Sequence, residues 1–200
     1  MQKVLVLYNC DFDPSPPPRG VARRDRSEVA RAAHDVKDAV GAFGLEADIM
    51  GVAGPDIGAC LDKLKKQAPD LIFNLTESLA QDSANEIVMP AVFDMLGIPF
   101  TGSGSMALGL CLHKPKAKDI LRSRGVPTPA SCTVERAKDA AGVDLPYPLF
   151  VKLAREDASV GIAQASVVDS DEKLAERVRL IHEHLGTDAI AEEFIEGREL

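Results

Sequence analysis

Val4-Leu5-Val6-Leu7-Tyr8 is a continuous apolar run of strand length. Alternation disappears when both faces of a strand are covered, so the run predicts a buried parallel strand. Apolar residues then recur at helical spacing: Val29, Ala32, Ala33, Val36, Ala39 and Val40. With Ser27 as N-cap and Gly44 beyond the end, this predicts a helix over 27–43. The alternation continues with a strand over 45–52, a helix over 57–66, a strand over 71–73, a helix over 83–96 and an extended piece at 98–100. Pro90 lies inside the helical pattern and predicts a kink there. Strands alternating with helices predict a parallel sheet with helices on its faces. Ligands of such sheets sit beyond the carboxyl ends of the strands. That edge would carry the Pro-rich segment Asn9 to Arg26, which includes Pro14, Pro16, Pro17 and Pro18, and the polar stretch Asn74 to Glu77.

Near Gly102-Ser103-Gly104 the pattern changes. Helices are predicted over 105–112 and 115–124, followed by a stiff turn at Gly125-Val126-Pro127-Thr128-Pro129. Strands are predicted over 130–134, 149–153 and 162–168, then a helix over 171–185 and an extended segment at 189–194. This half reads as a second, α+β subdomain.

Composition narrows the function. The chain has 200 residues, 46% hydrophobic and 27% charged, the profile of a globular protein with a packed core. Aromatics are 4% and tryptophan is absent, so the core must be aliphatic. With 31 acidic and 23 basic residues the net charge is −8. Such a chain repels phosphate backbones, which argues against nucleic acid and anionic membranes as partners, though not against a local basic site for one small polyphosphate. No apolar run approaches the roughly 18 residues of a membrane span, and no signal peptide pattern opens the chain. The expectation is a soluble, cytoplasmic protein. Cys10, Cys60, Cys111 and Cys132 show neither CxxC spacing nor a zinc pattern, and read as buried thiols.

Three stretches carry candidate chemistry. Val151-Lys152-Leu153-Ala154-Arg155-Glu156-Asp157-Ala158-Ser159-Val160-Gly161 places a lysine at a strand end, followed by a loop of small and polar residues. Such loops turn backbone N–H groups toward phosphate oxygens, and a neighbouring lysine supplies counter-charge. Gly102-Ser103-Gly104-Ser105 precedes a helical segment and Lys114; Glu192-Glu193-Phe194-Ile195-Glu196-Gly197-Arg198-Glu199 follows the last predicted strand. Taken singly, these read first as solvated lysines and a surface turn.

Their combination is more specific. Leu96-Gly97-Ile98-Pro99-Phe100-Thr101-Gly102-Ser103, then His113-Lys114, the Gly125 to Pro129 turn, Val151-Lys152, Arg155 to Gly161 and Glu192 to Glu199 occur in this order. In order and spacing the chain resembles the ATP-grasp superfamily, specifically the D-alanine–D-alanine ligase-like family. The resemblance implies a Rossmann-like N-terminal (pre-ATP-grasp) domain over 1–101, a small ATP-grasp subdomain over 102–188 and the start of a large subdomain over 189–200.

By the same resemblance Lys114 and Lys152 hold the ATP phosphates, and Arg155 to Gly161 is the loop that closes over them. Glu192, Glu193, Phe194 and Ile195 form the adenine-binding linker, and Glu199 meets the ribose hydroxyls. Glu28 keeps the second of two acids in the family's first loop, with Arg26 in place of the first. Ser159 keeps one of two phosphate-loop serines, with Ala158 in place of the other. His113 stands where the family commonly has aspartate, and reads as a helix-surface residue rather than a catalytic one. The implied reaction is ATP-dependent amide formation through an acylphosphate, from small amino acid or peptide substrates, with Mg²⁺ bridging the phosphates. Family members are often homodimers.

The family's Mg²⁺ ligands lie in a subdomain beyond Leu200. On that reading the chain is an N-terminal fragment, inactive alone, and its strand at 189–194 lacks sheet neighbours. The rival readings are a noncatalytic nucleotide- or partner-binding protein on the same scaffold, and a plain Rossmann-like small-molecule binder.

Overall fold

A computed structural model describes residues 2–10, 27–156 and 161–198. The chain divides into two compact units; of the described residues, 2–10 and 27–109 belong to the first, 110–156 and 161–198 to the second.

In the first unit β1 (Lys3–Asn9), β2 (Glu46–Val52) and β3 (Leu71–Leu75) form a parallel sheet in the order β2-β1-β3. Central β1 is buried from Val4 to Leu7, the residues of the continuous apolar run. Its Val6 faces Ile49 on one side and Phe73 on the other. The connecting helices are α1 (Ser27–Ala42), α2 (Ile57–Gln67) and α3 (Val88–Leu96). Leu5, Leu7, Met50, Leu64, Ile72, Met89 and Phe93 share one apolar core.

The expected helix over 83–96 is divided. Ser83–Ile87 is a 3-10 turn, and α3 begins at Val88. Pro90 thereby falls in the first turn of α3, where no backbone N–H is required, so it does not interrupt a ladder. The extended piece at 98–100 pairs with β3 through a single bridge, Ile72 to Phe100. The Ile72 N–H donates to Pro99 O at 2.9 Å and the Thr101 N–H to Ile72 O at 3.0 Å. Pro99 has no N–H with which to extend the pairing.

Gly54 opens a short 3-10 turn after β2. A Cβ placed there would stand 2.6 Å from Ala80 Cβ and 2.7 Å from Ala80 N. Because backbone must shift to admit it, Gly54→Ala is expected to destabilise the protein by about 1–2 kcal/mol, within the range for overpacking. A lowered urea midpoint with unchanged slope would record this.

The second unit holds α5 (Lys114–Ser123), α6 (Asp171–Leu185) and a sheet of β4 (Ser131–Val134), β5 (Leu149–Leu153), β6 (Val167–Val168) and β7 (Ala189–Glu193). The order is β4-β7-β5-β6, with every pair antiparallel. One face packs Leu149, Val151, Leu153, Ala189 and Ala191 against Leu174, Val178 and Ile181 of α6. A helix over Ser105–Leu112, α4 by position, carries the chain from the first unit into the second.

Several expectations change here. The strand at 189–194 is not left without neighbours: β7 lies inside the sheet, hydrogen-bonded to β4 on one side and β5 on the other. The strand expected over 162–168 shrinks to Val167–Val168, preceded by a 3-10 turn at Gln164–Ser166. Ser166 Oγ accepts the Ala163 N–H at 3.1 Å, a local bond that competes with strand pairing. A 3-10 segment at Ala137–Gly142 lies between β4 and β5, where no element was expected. Of the thiols, Cys60 is buried and Cys132 half-buried, but Cys10 and Cys111 are exposed, because one follows the end of β1 and the other lies on an outward face.

Candidate functional site

Strand alternation gives the second unit's sheet a second face, opposite its core, that mixes apolar and charged side chains. On β5 that face carries Phe150 and Lys152, and on β7 it carries Ile190 and Glu192. Phe150 stands beside Glu192, and Lys152 beside Ile190. The Lys152 ammonium lies 5.8 Å from the centroid of the Phe150 ring, within cation–π range.

Glu192 is the centre of this face. It is 6% exposed, and both of its oxygens are engaged. Lys152 Nζ lies 2.6 Å from Oε2. Lys118 Nζ, from α5, lies 3.0 Å from Oε1. Burial pushes the Glu192 carboxyl up, but the hydrogen bonds from Lys152 and Lys118 outweigh it and hold the group below its ordinary range. The carboxylate is therefore ionised, and two ammonium groups share it. Lys118 is itself 7% exposed, a depth at which lysines occur almost only when paired.

The start of α5 is tied to the other end of this strand pair, where β5 ends and β7 begins. The Lys114 N–H donates to Ala154 O at 3.0 Å, and the Ala154 N–H donates to Asp188 O at 2.9 Å. Lys114 thus begins its helix beside the residue that follows β5. Lys114 and Lys118, four apart on one helix, share a face. The C-terminal end of α5 is held to β4, where Arg122 donates to Pro129 O at 2.9 Å and to Ser131 Oγ at 2.8 Å. His113 is the N-cap of α5, with Nδ1 facing the Lys116 N–H at 3.5 Å. Burial, then the charges of Lys116 and Arg155, hold its imidazole below the usual range, as an acceptor at the helix start requires.

Past β7 the Glu193 N–H donates to Ala130 O at 2.8 Å, and the Phe194 N–H to Pro148 O at 3.2 Å. Glu193, Phe194 and Ile195 present exposed side chains. Asp157 to Val160 lie outside the described residues, so Ser159 and most of the expected phosphate loop are not placed. Glu199 also lies outside them. The described flanks of the loop are anchored: Arg155 is 3.8 Å from Asp188, and buried Arg177 donates to Gly161 O and, at 3.0 Å, to Ser166 Oγ. Gly161 has φ +70, and a Cβ there would stand 2.8 Å from Leu153 Cδ1, so the loop must return through a glycine.

In the first unit the sheet edge is cross-braced by polar side chains. Asn9, at the end of β1, is 2% exposed. Its Nδ2 donates to Ser78 Oγ at 3.0 Å, and its Oδ1 accepts the Glu77 N–H at 3.1 Å. Asn74 Oδ1 accepts the Thr76 hydroxyl at 2.7 Å. Asn9→Ala takes partners from two groups at once and is expected to cost about 1–2 kcal/mol, readable as a lower thermal midpoint. Glu28 sits in the first turn of α1, 3.7 Å from Arg31, with its side chain 67% exposed. The segment through Arg26 lies outside the described residues.

The structure thus brings Lys152 and Glu192 together and ties the start of Lys114's helix to the end of β5, beyond Lys152. It adds Lys118, which motif reading missed. Its signal was the four-residue spacing from Lys114, masked by the run of alternate lysines at 114, 116 and 118. Among the described residues no group of three or more His, Cys, Asp or Glu side chains is arranged to hold a metal ion. Among them too, no helix is long and apolar enough to cross a membrane.

No family model matches the chain. A D-alanine–D-alanine ligase of Gluconobacter oxydans is 33% identical over 147 residues, covering 74% of this chain and 46% of that one. Another, of Pseudomonas entomophila, is 30% identical over 174 residues, covering 86% and 48%. The crystal structure of D-alanine–D-alanine ligase from Bacillus anthracis complexed with ATP superimposes with a TM-score of 0.69 at 17% identity, over 98% of this chain and 60% of that one. The structural likeness establishes the fold: an N-terminal parallel α/β unit followed by an α+β unit with an antiparallel sheet, as in ATP-grasp ligases. The chain belongs to the D-alanine–D-alanine ligase-like family. It spans about half the length of the curated relatives it matches.

Proposed function

We propose that the protein is an ATP-dependent carboxylate–amine ligase of the D-alanine–D-alanine ligase type, and that this chain supplies its nucleotide-holding face. The observation that carries this reading is the Lys118–Glu192–Lys152 cluster on the face of the second unit's sheet opposite its core. Lys152, with its side chain 23% exposed, is the member placed to meet a polyphosphate. Lys114, at the start of α5 beside the residue that follows β5, adds a second cation. Backbone groups of the Glu192 to Ile195 linker read the purine edge, the Glu192 carboxylate being held by Lys118 and Lys152, and the exposed Phe194 and Ile195 supply an apolar wall. Ser159 and Glu199 complete the phosphate and ribose contacts, and Glu28 receives a substrate ammonium. The first unit corresponds to the N-terminal domain, and the second, whose sheet includes β7, to the small ATP-grasp subdomain.

The reaction is phosphorylation of a substrate carboxylate by ATP, followed by attack of an amine on the acylphosphate. Amide, ADP and phosphate are the products. The contribution of this chain is binding, orientation and charge neutralisation. Mg²⁺ accompanies ATP in such transfers. The described carboxylates do not form a site for it, and no step is assigned to them. The substrates are small amino acids or peptides, the location is the cytoplasm where ATP is supplied, and the assembly can be a homodimer.

The test is ADP release by the intact protein, screened against amino acids and short peptides. Release that depends on both a carboxylate and an amine substrate is the expected result. ATP binding without any substrate-dependent release would favour the noncatalytic reading instead.

A further inference from the structure

We propose that Lys118 is a positioning residue that allows Lys152 to pass from Glu192 to a polyphosphate. The inference rests on the nucleotide reading above and concerns how the same site is made ready.

In the structure Lys152 is already occupied. Its ammonium lies 2.6 Å from Glu192 Oε2, so it must leave that oxygen to serve a phosphate. The departure would strand a carboxylate that is nearly inaccessible to water, and an unpaired buried carboxylate is strongly disfavoured. Lys118 removes this obstacle. It holds the other oxygen, Oε1, at 3.0 Å, and stays in place when Lys152 moves. The accessibilities divide the roles: the side chain of Lys118 is 9% exposed and that of Lys152 is 23% exposed. The shielded lysine is the permanent counterion, and the more accessible one is the mobile cation. The charge balance agrees. One carboxylate with two ammonium groups leaves one positive charge in excess, so the departure of Lys152 leaves a neutral Lys118–Glu192 pair.

Without Lys118, Lys152 becomes the sole counterion of Glu192. Polyphosphate must then compete with a buried ion pair, and affinity falls for ligands that need Lys152. A ligand lacking phosphates is unaffected. Calorimetric titration of the intact protein with adenosine, ADP and ATP separates these cases. Lys118→Met is expected to weaken ATP and ADP by about 10–100-fold, the scale of a charge-assisted contact, and to leave adenosine within about threefold. Lys118→Arg keeps the charge and should restore ATP affinity. Lys118→Met with Glu192→Gln should also restore it, because Lys152 then has no carboxylate to abandon. Lys118→Gln, which keeps a donor toward Glu192 without the charge, is a gentler variant expected to show the same ATP-selective loss if Lys118→Met does not fold.

Equal losses for adenosine and ATP would make Lys118 a packing residue and overturn the proposal, as would unchanged ATP affinity in Lys118→Met or Lys118→Gln. Wild-type protein that binds none of the three ligands would overturn the nucleotide reading itself and this inference with it.

Discussion

Replacing Glu192 with alanine is expected to remove about 3–5 kcal/mol of stability, the scale of breaking a buried ion pair by deleting one partner. The change leaves the buried Lys118 ammonium and the half-buried Lys152 ammonium facing each other with no anion between them. Chemical denaturation of the wild type and the variant measures the loss directly. The same group sets part of the acid limb of stability. Burial raises the Glu192 carboxyl, but Lys152 and Lys118 hold it below its ordinary value of 4.5. Between the folded and unfolded values the unfolded chain binds more protons, so stability rises with pH in that window. The contribution is complete above 4.5 and is lost as pH falls through the folded value. Glu192→Ala should therefore be less stable at neutral pH and lose less on acidification. A parallel acid profile in the two proteins would refute this electrostatic account.

The second large effect is on the ligand rather than the fold. Lys152→Met in the intact protein is expected to weaken ATP binding by about 1.5–3 kcal/mol, roughly 10–100-fold, the value of a lost charge-assisted contact. Its stability should change little, because Lys118 remains on Glu192 at 3.0 Å and the buried carboxylate keeps a counterion. The two substitutions thus separate, although their side chains touch. Glu192→Ala acts mainly on unfolding, and Lys152→Met mainly on nucleotide affinity. Calorimetry showing wild-type ATP affinity in Lys152→Met would remove Lys152 from the site.

Much of the fold was legible because local pattern and tertiary burial agree. The apolar run at Val4 to Tyr8 had to be covered on both faces, and β1 is the central strand of its sheet. The helical spacing at Val29 to Val40 matches α1, and Ser170 with Leu174, Val178 and Ile181 gives α6 its cap and its buried face. The resemblance assigned Lys152 to the phosphates and Glu192 to the adenine of one nucleotide; that the two side chains meet in an ion pair came only with the pairing of β5 and β7.

Where pattern and structure part, a nonlocal or side-chain bond decided. The sequence alone determined most of the helices and strands, the apolar run of β1 and the apolar spacing of α1, and it left room for a local basic site in an acidic chain. It could not show that β7 lies between β4 and β5, because antiparallel register is set by partners far along the chain. It could not show that the strand before α6 is cut to two residues, which follows from the local bond of Ser166 to the Ala163 N–H. Nor could it rank Lys118 above Lys116, because both are lysines on one helix. Only the packing of α5 buries Lys118 against Glu192, at a depth where an ammonium requires a carboxylate partner.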